Sequence, residues 1–136
     1  MSTRAIIAVR KPNGGFIAIY VHMQGAHALD TLRRHYVQPH QVAALIALGD
    51  LSSLGHSPDE CVAYRRDQNE PWYVVQPQEI GRSDHLARHA LGLGVEYIYT
   101  YANGQWSVAD VKYLAHWSSR YRRYIPSKDL IESLAA

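Results

Sequence analysis

The segment Trp117-Ser118-Ser119-Arg120-Tyr121-Arg122-Arg123-Tyr124 places three aromatic rings and three guanidinium groups within eight residues. Aromatic planes stack on bases and Arg forks grip phosphates, so these types at this spacing suit single-stranded nucleic acid or a nucleotide. Trp, Tyr and Arg also dominate the hot spots of protein interfaces. The plain alternative is an amphipathic tail whose aromatics finish the core while Arg keeps the other face in water. From residue 111 to residue 128 the chain carries five basic residues and no acid.

A second charged cluster, Arg65-Arg66-Asp67 with Glu70, follows an expected strand. Charges at strand ends can hold a ligand or run acid–base chemistry. They can equally form salt bridges that fix a turn. Among the eight histidines, His85 and His89 are four apart on an expected helix, a spacing that can seat two imidazoles on one metal. The stretch reads His-Leu-Ala-Arg-His, without the Glu of a zinc hydrolase motif, and Arg88 would repel a cation. No metal is expected there. His22 and His27 flank Gly25 at a strand-to-helix junction. The junction could offer N–H groups to an anion, or His22 could be a core histidine and His27 a surface one.

Covalent catalysis has little support. The chain has no Gly-x-Ser-x-Gly elbow and no phosphate-binding Gly-rich loop. Cys61 lies in an apolar strand context with no local activating group. No cofactor is expected.

These groups must be held by one domain. The chain of 136 residues fits a single domain, residues 1–136, able to build a core without staples. Its 47% hydrophobic share is ordinary for a globular protein. A single cysteine rules out an internal disulfide framework, which makes a reducing cytoplasm the expected compartment. No apolar run approaches the roughly 18 residues of a membrane span, and no signal peptide is read at residues 1–4. The net charge of +2 argues against acidic mimicry of DNA. Arg outnumbers Lys by eleven to three, and Arg is the better fork for phosphate and carboxylate.

Residues 3–10 and 16–23 read as strands, with turn chemistry at Pro12-Asn13-Gly14-Gly15. Both are apolar on each face, which places them inside a sheet. Residues 26–36 carry a helical stripe of Leu29, Leu32 and Tyr36. A second helix starts at Pro39 and runs to Leu48, burying Val42, Leu45 and Ile46, with Gly49 as its cap. A loop over residues 51–55 leads to a short strand at 61–65. Residues 66–82 read mostly as loop, with a short strand at 72–75. A helix over 84–91 is capped by Ser83 and Gly92.

The clearest local signal is Asn103-Gly104, a type I′ hairpin turn between alternating runs at 95–102 and 105–109. Its register sets Tyr101 opposite Trp106 and Tyr99 opposite Val108. One face then carries Val95, Tyr97, Tyr99, Tyr101, Trp106 and Val108, which reads as core. The tail is open between two readings. Val111, Leu114, Trp117, Tyr121 and Tyr124 recur at helical spacing, while Ser118-Ser119 and the β-forming aromatics favour something looser. A last helix begins at Pro126-Ser127. The expected class is α+β, an antiparallel sheet of about five strands with helices packed mainly on one face.

Several stretches resemble a family of small uncharacterised proteins encoded by phages, prophages and other mobile elements. They are Ser2-Thr3-Arg4-Ala5-Ile6-Ile7, Ile19-Tyr20-Val21-His22 with Gly25, His35-Tyr36 and Leu45-Ile46-Ala47-Leu48-Gly49-Asp50-Leu51-Ser52-Ser53-Leu54-Gly55. Tyr64-Arg65-Arg66-Asp67 with Glu70, and Asn103-Gly104-Gln105-Trp106, complete the set. The resemblance implies an accessory role in a mobile element, in the cytoplasm of a host bacterium, with interference in a host defence system as one form of it. Family members typically read His-Trp-Asp-Gly-Tyr-Pro where this chain has His22-Met23-Gln24-Gly25-Ala26-His27, so any site in that segment is altered here. The basic tail lies outside the resemblance.

The expected function is non-enzymatic, stoichiometric binding to a host macromolecule, with a host protein or complex as partner. The binding residues expected are Trp117, Arg120, Tyr121, Arg122, Arg123 and Tyr124, with Arg66, Asp67 and Glu70. The alternative is nucleic-acid or nucleotide binding through the same tail. A small enzyme using Arg66, Asp67 and Glu70 is the third reading.

Overall fold

The computed structural model of the chain describes residues 2–24, 28–112 and 115–135. Strands β1 (Ser2–Arg10) and β2 (Phe16–Gln24) pair antiparallel, with Ile7 opposite Ile19. Lys11 N–H donates to the Gly15 carbonyl at 2.7 Å and closes the turn between them. Helices α1 (Ala28–His35) and α2 (Pro39–Ile46) follow, then β3 (Leu51–Ser53) and β4 (Val62–Ala63). Next come α3 (Trp72–Val75), β5 (Gln78–Ile80) and α4 (Ser83–Leu93). The chain ends with the hairpin β6 (Tyr97–Ala102) and β7 (Gln105–Asp110), a second hairpin β8 (Ala115–Ser118) and β9 (Arg123–Pro126), and α5 (Lys128–Ala135).

The main sheet runs β4-β3-β2-β1-β6-β7, with β5 also paired to β2. It is mixed, which corrects the antiparallel expectation. β1 pairs parallel with β6, and β2 with β3. A tight turn reverses a strand, whereas a strand entered through a helical crossover can return in the original direction. Here α1 and α2 separate β2 from β3, and α4 leads into β6.

Helices cover both faces, not mainly one. Ala5, Ile7, Ile19 and Val21 pack under α1 and α2 with Leu32, Tyr36, Val42 and Leu45. Ile6, Ala8, Phe16 and Ala18 pack on the other side with Leu86, Ala87 and Ala90 of α4 and Leu130 and Leu134 of α5. The two-sided apolarity of β1 and β2 demands this, since a single helical layer would leave Ile6 and Phe16 in water.

The Asn103-Gly104 turn is present with positive φ at both residues, +54° and +76°. The register has Tyr101 opposite Trp106 and Tyr99 opposite Val108. Tyr99, Tyr101 and Trp106 are buried in the α1/α2 layer. The six-residue stripe is not all core: Val108 is exposed, and Val95, before the strand begins, joins the α4/α5 layer.

Other expectations are corrected. Residues 72–75 form one helical turn, not a strand, led in by Pro71 in an extended conformation. The strand expected at 61–65 spans only Val62–Ala63, because the chain turns from Tyr64 onward. Residues 51–53 and 78–80, read as loop, are β3 and β5, each too short to show alternation. Helix α4 begins at Ser83 with Arg82 before it, and ends on Gly94 rather than Gly92, with φ +69°. Residues 115–118 and 123–126 form a hairpin, so the helical reading of the tail fails. The expected stripe residue Leu114 lies outside the described residues.

Candidate functional site

The β8–β9 hairpin stands apart from the main sheet as its own two-stranded unit. Trp117 pairs across the strands with Tyr124, and their rings meet edge to face at 5.4 Å. Such pairs favour a hairpin. The turn has no Gly or Asn. Instead Tyr121 N–H donates to Ser118 Oγ at 3.3 Å, and Arg122 takes the left-handed conformation, φ +54°.

This geometry leaves Trp117, Tyr121 and Tyr124 between 56% and 59% exposed, so the tail aromatics do not finish the core. Arg120 and Arg123 lie over the Tyr121 ring, 5.5 and 5.6 Å from its centroid. Arg122 is exposed at the tip. Between the hairpin and α4 lies a cavity of about 680 Å³, lined by Arg88 and Leu91 of α4 and by Tyr121, Arg123 and Tyr124. Among the described residues, the ion-pair approach of Arg88 is to Asp84, at 4.0 Å. The surface can stack planar groups and fork anionic ones.

The other charged cluster is a loop fastening. Arg66 donates to the carbonyls of Pro58 at 2.9 Å and Cys61 at 2.6 Å, and pairs with Asp67 at 2.9 Å. Asp67 in turn accepts the Ala63 N–H at 2.8 Å. The Arg66 guanidinium and that N–H hold the Asp67 carboxyl below its usual range. Arg65 reaches the Glu70 carbonyl at 3.3 Å, and the Glu70 side chain is exposed. These residues are brought together, but the polar atoms of Arg66 and Asp67 are directed at loop backbone.

His85 stands beside Arg82, while His89 is half-buried, and burial lowers its pKa. Among the described residues, no group of three or more His, Cys, Asp or Glu is arranged to hold a metal. His22 is half-buried on β2 opposite Arg4. The junction at residues 25–27, with His27, lies outside the described residues. Cys61 is buried, its Sγ accepting the Gly55 N–H at 3.2 Å and 3.6 Å from the Tyr36 hydroxyl. Among the described residues, no helix is long and apolar enough to cross a membrane.

One site has no signal in the sequence. Along its outer edge, β2 pairs with β5 at Phe16–Ala18 and with β3 at Val21, which leaves the Tyr20 N–H between them. Asp50 Oδ1 accepts that N–H at 2.8 Å. Asp50 is itself fixed at both ends of its peptide unit, donating to Val75 O at 2.8 Å and accepting from Tyr64 N–H at 3.2 Å. Its carboxyl faces a cavity of about 350 Å³ with Tyr20, Val74, Gln78, His89 and Leu93. Burial drives the Asp50 pKa up to about 6, against the opposing Tyr20 hydrogen bond. Burial also raises the Tyr20 phenol, with Tyr64 adding to the rise and Arg4 opposing it.

Comparison with protein-family models, curated proteins and solved structures finds no match for this chain.

Proposed function

We propose that this chain is a non-enzymatic accessory protein of a phage or other mobile element that acts in the host cytoplasm by stoichiometric contact with a host protein. The contact surface is the β8–β9 hairpin. The observation that carries this reading is the exposure of Trp117, Tyr121 and Tyr124 among Arg120, Arg122 and Arg123. Exposed aromatics interleaved with Arg are costly to leave in water and are the residues that anchor interfaces. Inhibition of a host defence system is the form of action that the resemblance to mobile-element proteins suggests.

The test is a pull-down from the host with Arg120, Arg122 and Arg123 all replaced by Glu. The expected result is loss of the partner with an unchanged circular dichroism spectrum and melting temperature. Equal recovery of the partner by the variant would overturn the reading.

A second reading, single-stranded nucleic acid or a nucleotide on the same hairpin, is favoured by the groove that sets Arg88 and Arg123 beside Tyr121 and Tyr124. It predicts oligonucleotide affinity that falls steeply with salt, the log–log slope shrinking by about 0.7 for each Arg–phosphate contact removed. Absence of binding to short oligonucleotides and cyclic nucleotides at low salt excludes it. Arg66 and Asp67 fasten a loop, which takes support from an enzyme reading built on them.

A further inference from the structure

We infer that the Asp50 cleft is a binding site for an organic cation, a guanidinium or primary ammonium group carried on an aliphatic stem. The inference goes beyond the hairpin reading and does not depend on it. The two sites use different sides of α4, His89 and Leu93 facing this cleft and Arg88 and Leu91 facing the hairpin.

The Asp50 carboxylate carries an uncompensated charge. Asp30, Asp67, Glu79, Asp84 and Glu132 each lie within 4.0 Å of a basic side chain. Asp50 is half-buried, and among the described residues it has no ion-pair partner. Among the described residues, its one side-chain hydrogen bond comes from the Tyr20 N–H. A carboxylate drawn partly out of water without a counter-charge is destabilised until a cation arrives.

The shape and walls of the cleft also suit such a ligand. The cavity of about 350 Å³ is in the range of small-ligand pockets. Ala18, Val74 and Leu93 supply apolar wall, with Val74 and Leu93 exposed at the rim. Apolar wall around a carboxylate suits an alkyl stem ending in a charge. Gln78 and His89 offer further polar contacts.

Other ligand classes fit less well. An anion would meet the Asp50 carboxylate. A hard metal ion needs several oxygen ligands, and among the described residues this cleft has a single carboxylate. The nearby Arg4 acts on the Tyr20 phenol.

Besides Asp50, the titratable groups lining the cleft among the described residues are Tyr20 of β2 and His89 of α4. Tyr64, in the turn after β4, and Arg4 of β1 act on the Tyr20 phenol, Arg4 through its charge and a side-chain hydrogen bond. Helix α3, Trp-Tyr-Val-Val, brings no charged residue. Acidification neutralises Asp50 and charges His89, and both changes disfavour a bound cation.

The test is an NMR titration of the full chain with agmatine and, in parallel, with N-acetyl-arginine methylamide. Saturable shifts at Gln78, His89 and Leu93 are expected at neutral pH, weakened at least about tenfold near pH 4. Asp50→Asn keeps an acceptor for Tyr20 and removes the charge, and should weaken binding by the same factor. Leu93→Arg, at an exposed rim position, provides an internal guanidinium and should block the site without a change in the core. Tighter binding of agmatine assigns the site to free amines, and tighter binding of the methylamide to an arginine on a polypeptide. No saturable shift with either probe, or equal affinity in Asp50→Asn, overturns the proposal.

Discussion

The indole Nε1–H of Trp106 donates to the main-chain carbonyl of Tyr36 at 2.9 Å, joining residues 70 apart in the chain. Beside it the Tyr101 hydroxyl donates to the Val37 carbonyl at 2.9 Å, and the Tyr101 and Trp106 rings meet edge to face at 5.2 Å. The segment between α1 and α2 therefore rests its free carbonyls on the β6–β7 hairpin. Trp106→Phe keeps a ring but leaves the Tyr36 carbonyl buried without that donor. It should cost about 1–3 kcal/mol, read as a lower urea midpoint at unchanged slope. An unchanged midpoint would show that the bond contributes nothing net.

The β6–β7 hairpin was legible because Asn-Gly fixes both turn type and register within a few residues. Helices α1 and α2 were legible from their stripes and from Pro39, whereas α4 and α5 were legible only in outline, from the residues expected to flank or start them. What failed was non-local. Whether β6 lies parallel to β1 depends on a crossover, and no local pattern records it. The β8–β9 hairpin was obscured because Trp117, Tyr121 and Tyr124 keep helical spacing by coincidence, and its turn places Arg122, not Gly, at positive φ. The Arg/aromatic residues of the candidate site could be named from composition, yet the groove they form with Arg88 could not. The meeting of Tyr20, Asp50 and His89 was invisible, since it arises from strand order at the outer edge of β2.

Gly49 holds the Asp50 cleft in shape. Its φ is +76°, and a Cβ there would sit 2.5 Å from the Val75 carbonyl oxygen and 3.0 Å from the Trp72 ring. Helix α3 is packed directly on this backbone. Gly49→Ala combines left-handed strain with a clash against main chain, and should cost on the order of 3 kcal/mol. The spectral changes should centre on residues 72–75 and Asp50. A stability within experimental error of wild type would show that α3 is not seated there.

Thr100 is buried in β6, and among the described residues its Oγ1 has no hydrogen-bond partner. A hydroxyl without a partner costs more than a methyl of the same shape. Thr100→Val should therefore stabilise by about 1 kcal/mol, raising the melting temperature by about 3–5 °C. A lower melting temperature would indicate that the hydroxyl bonds a buried water or residue.

Asp50 gives the chain a distinctive pH response. Its folded pKa of about 6 lies above the ordinary 3.8, so the folded state holds the proton more tightly than the unfolded state. Stability therefore falls as pH rises between these values and stays lower above them. His89 acts in the opposite sense. Its pKa is lowered by burial from 6.5, so its contribution is lost as pH falls below that value. Asp50→Asn leaves the His89 effect in place and removes the first. Solvent reaches the Asp50 carboxylate, which discounts the gain at neutral pH to about 1 kcal/mol. Thermal melts of the two proteins should differ at neutral pH and converge near pH 4. A constant difference across that range would mean that the substitution acts through packing or the Tyr20 hydrogen bond rather than through the charge.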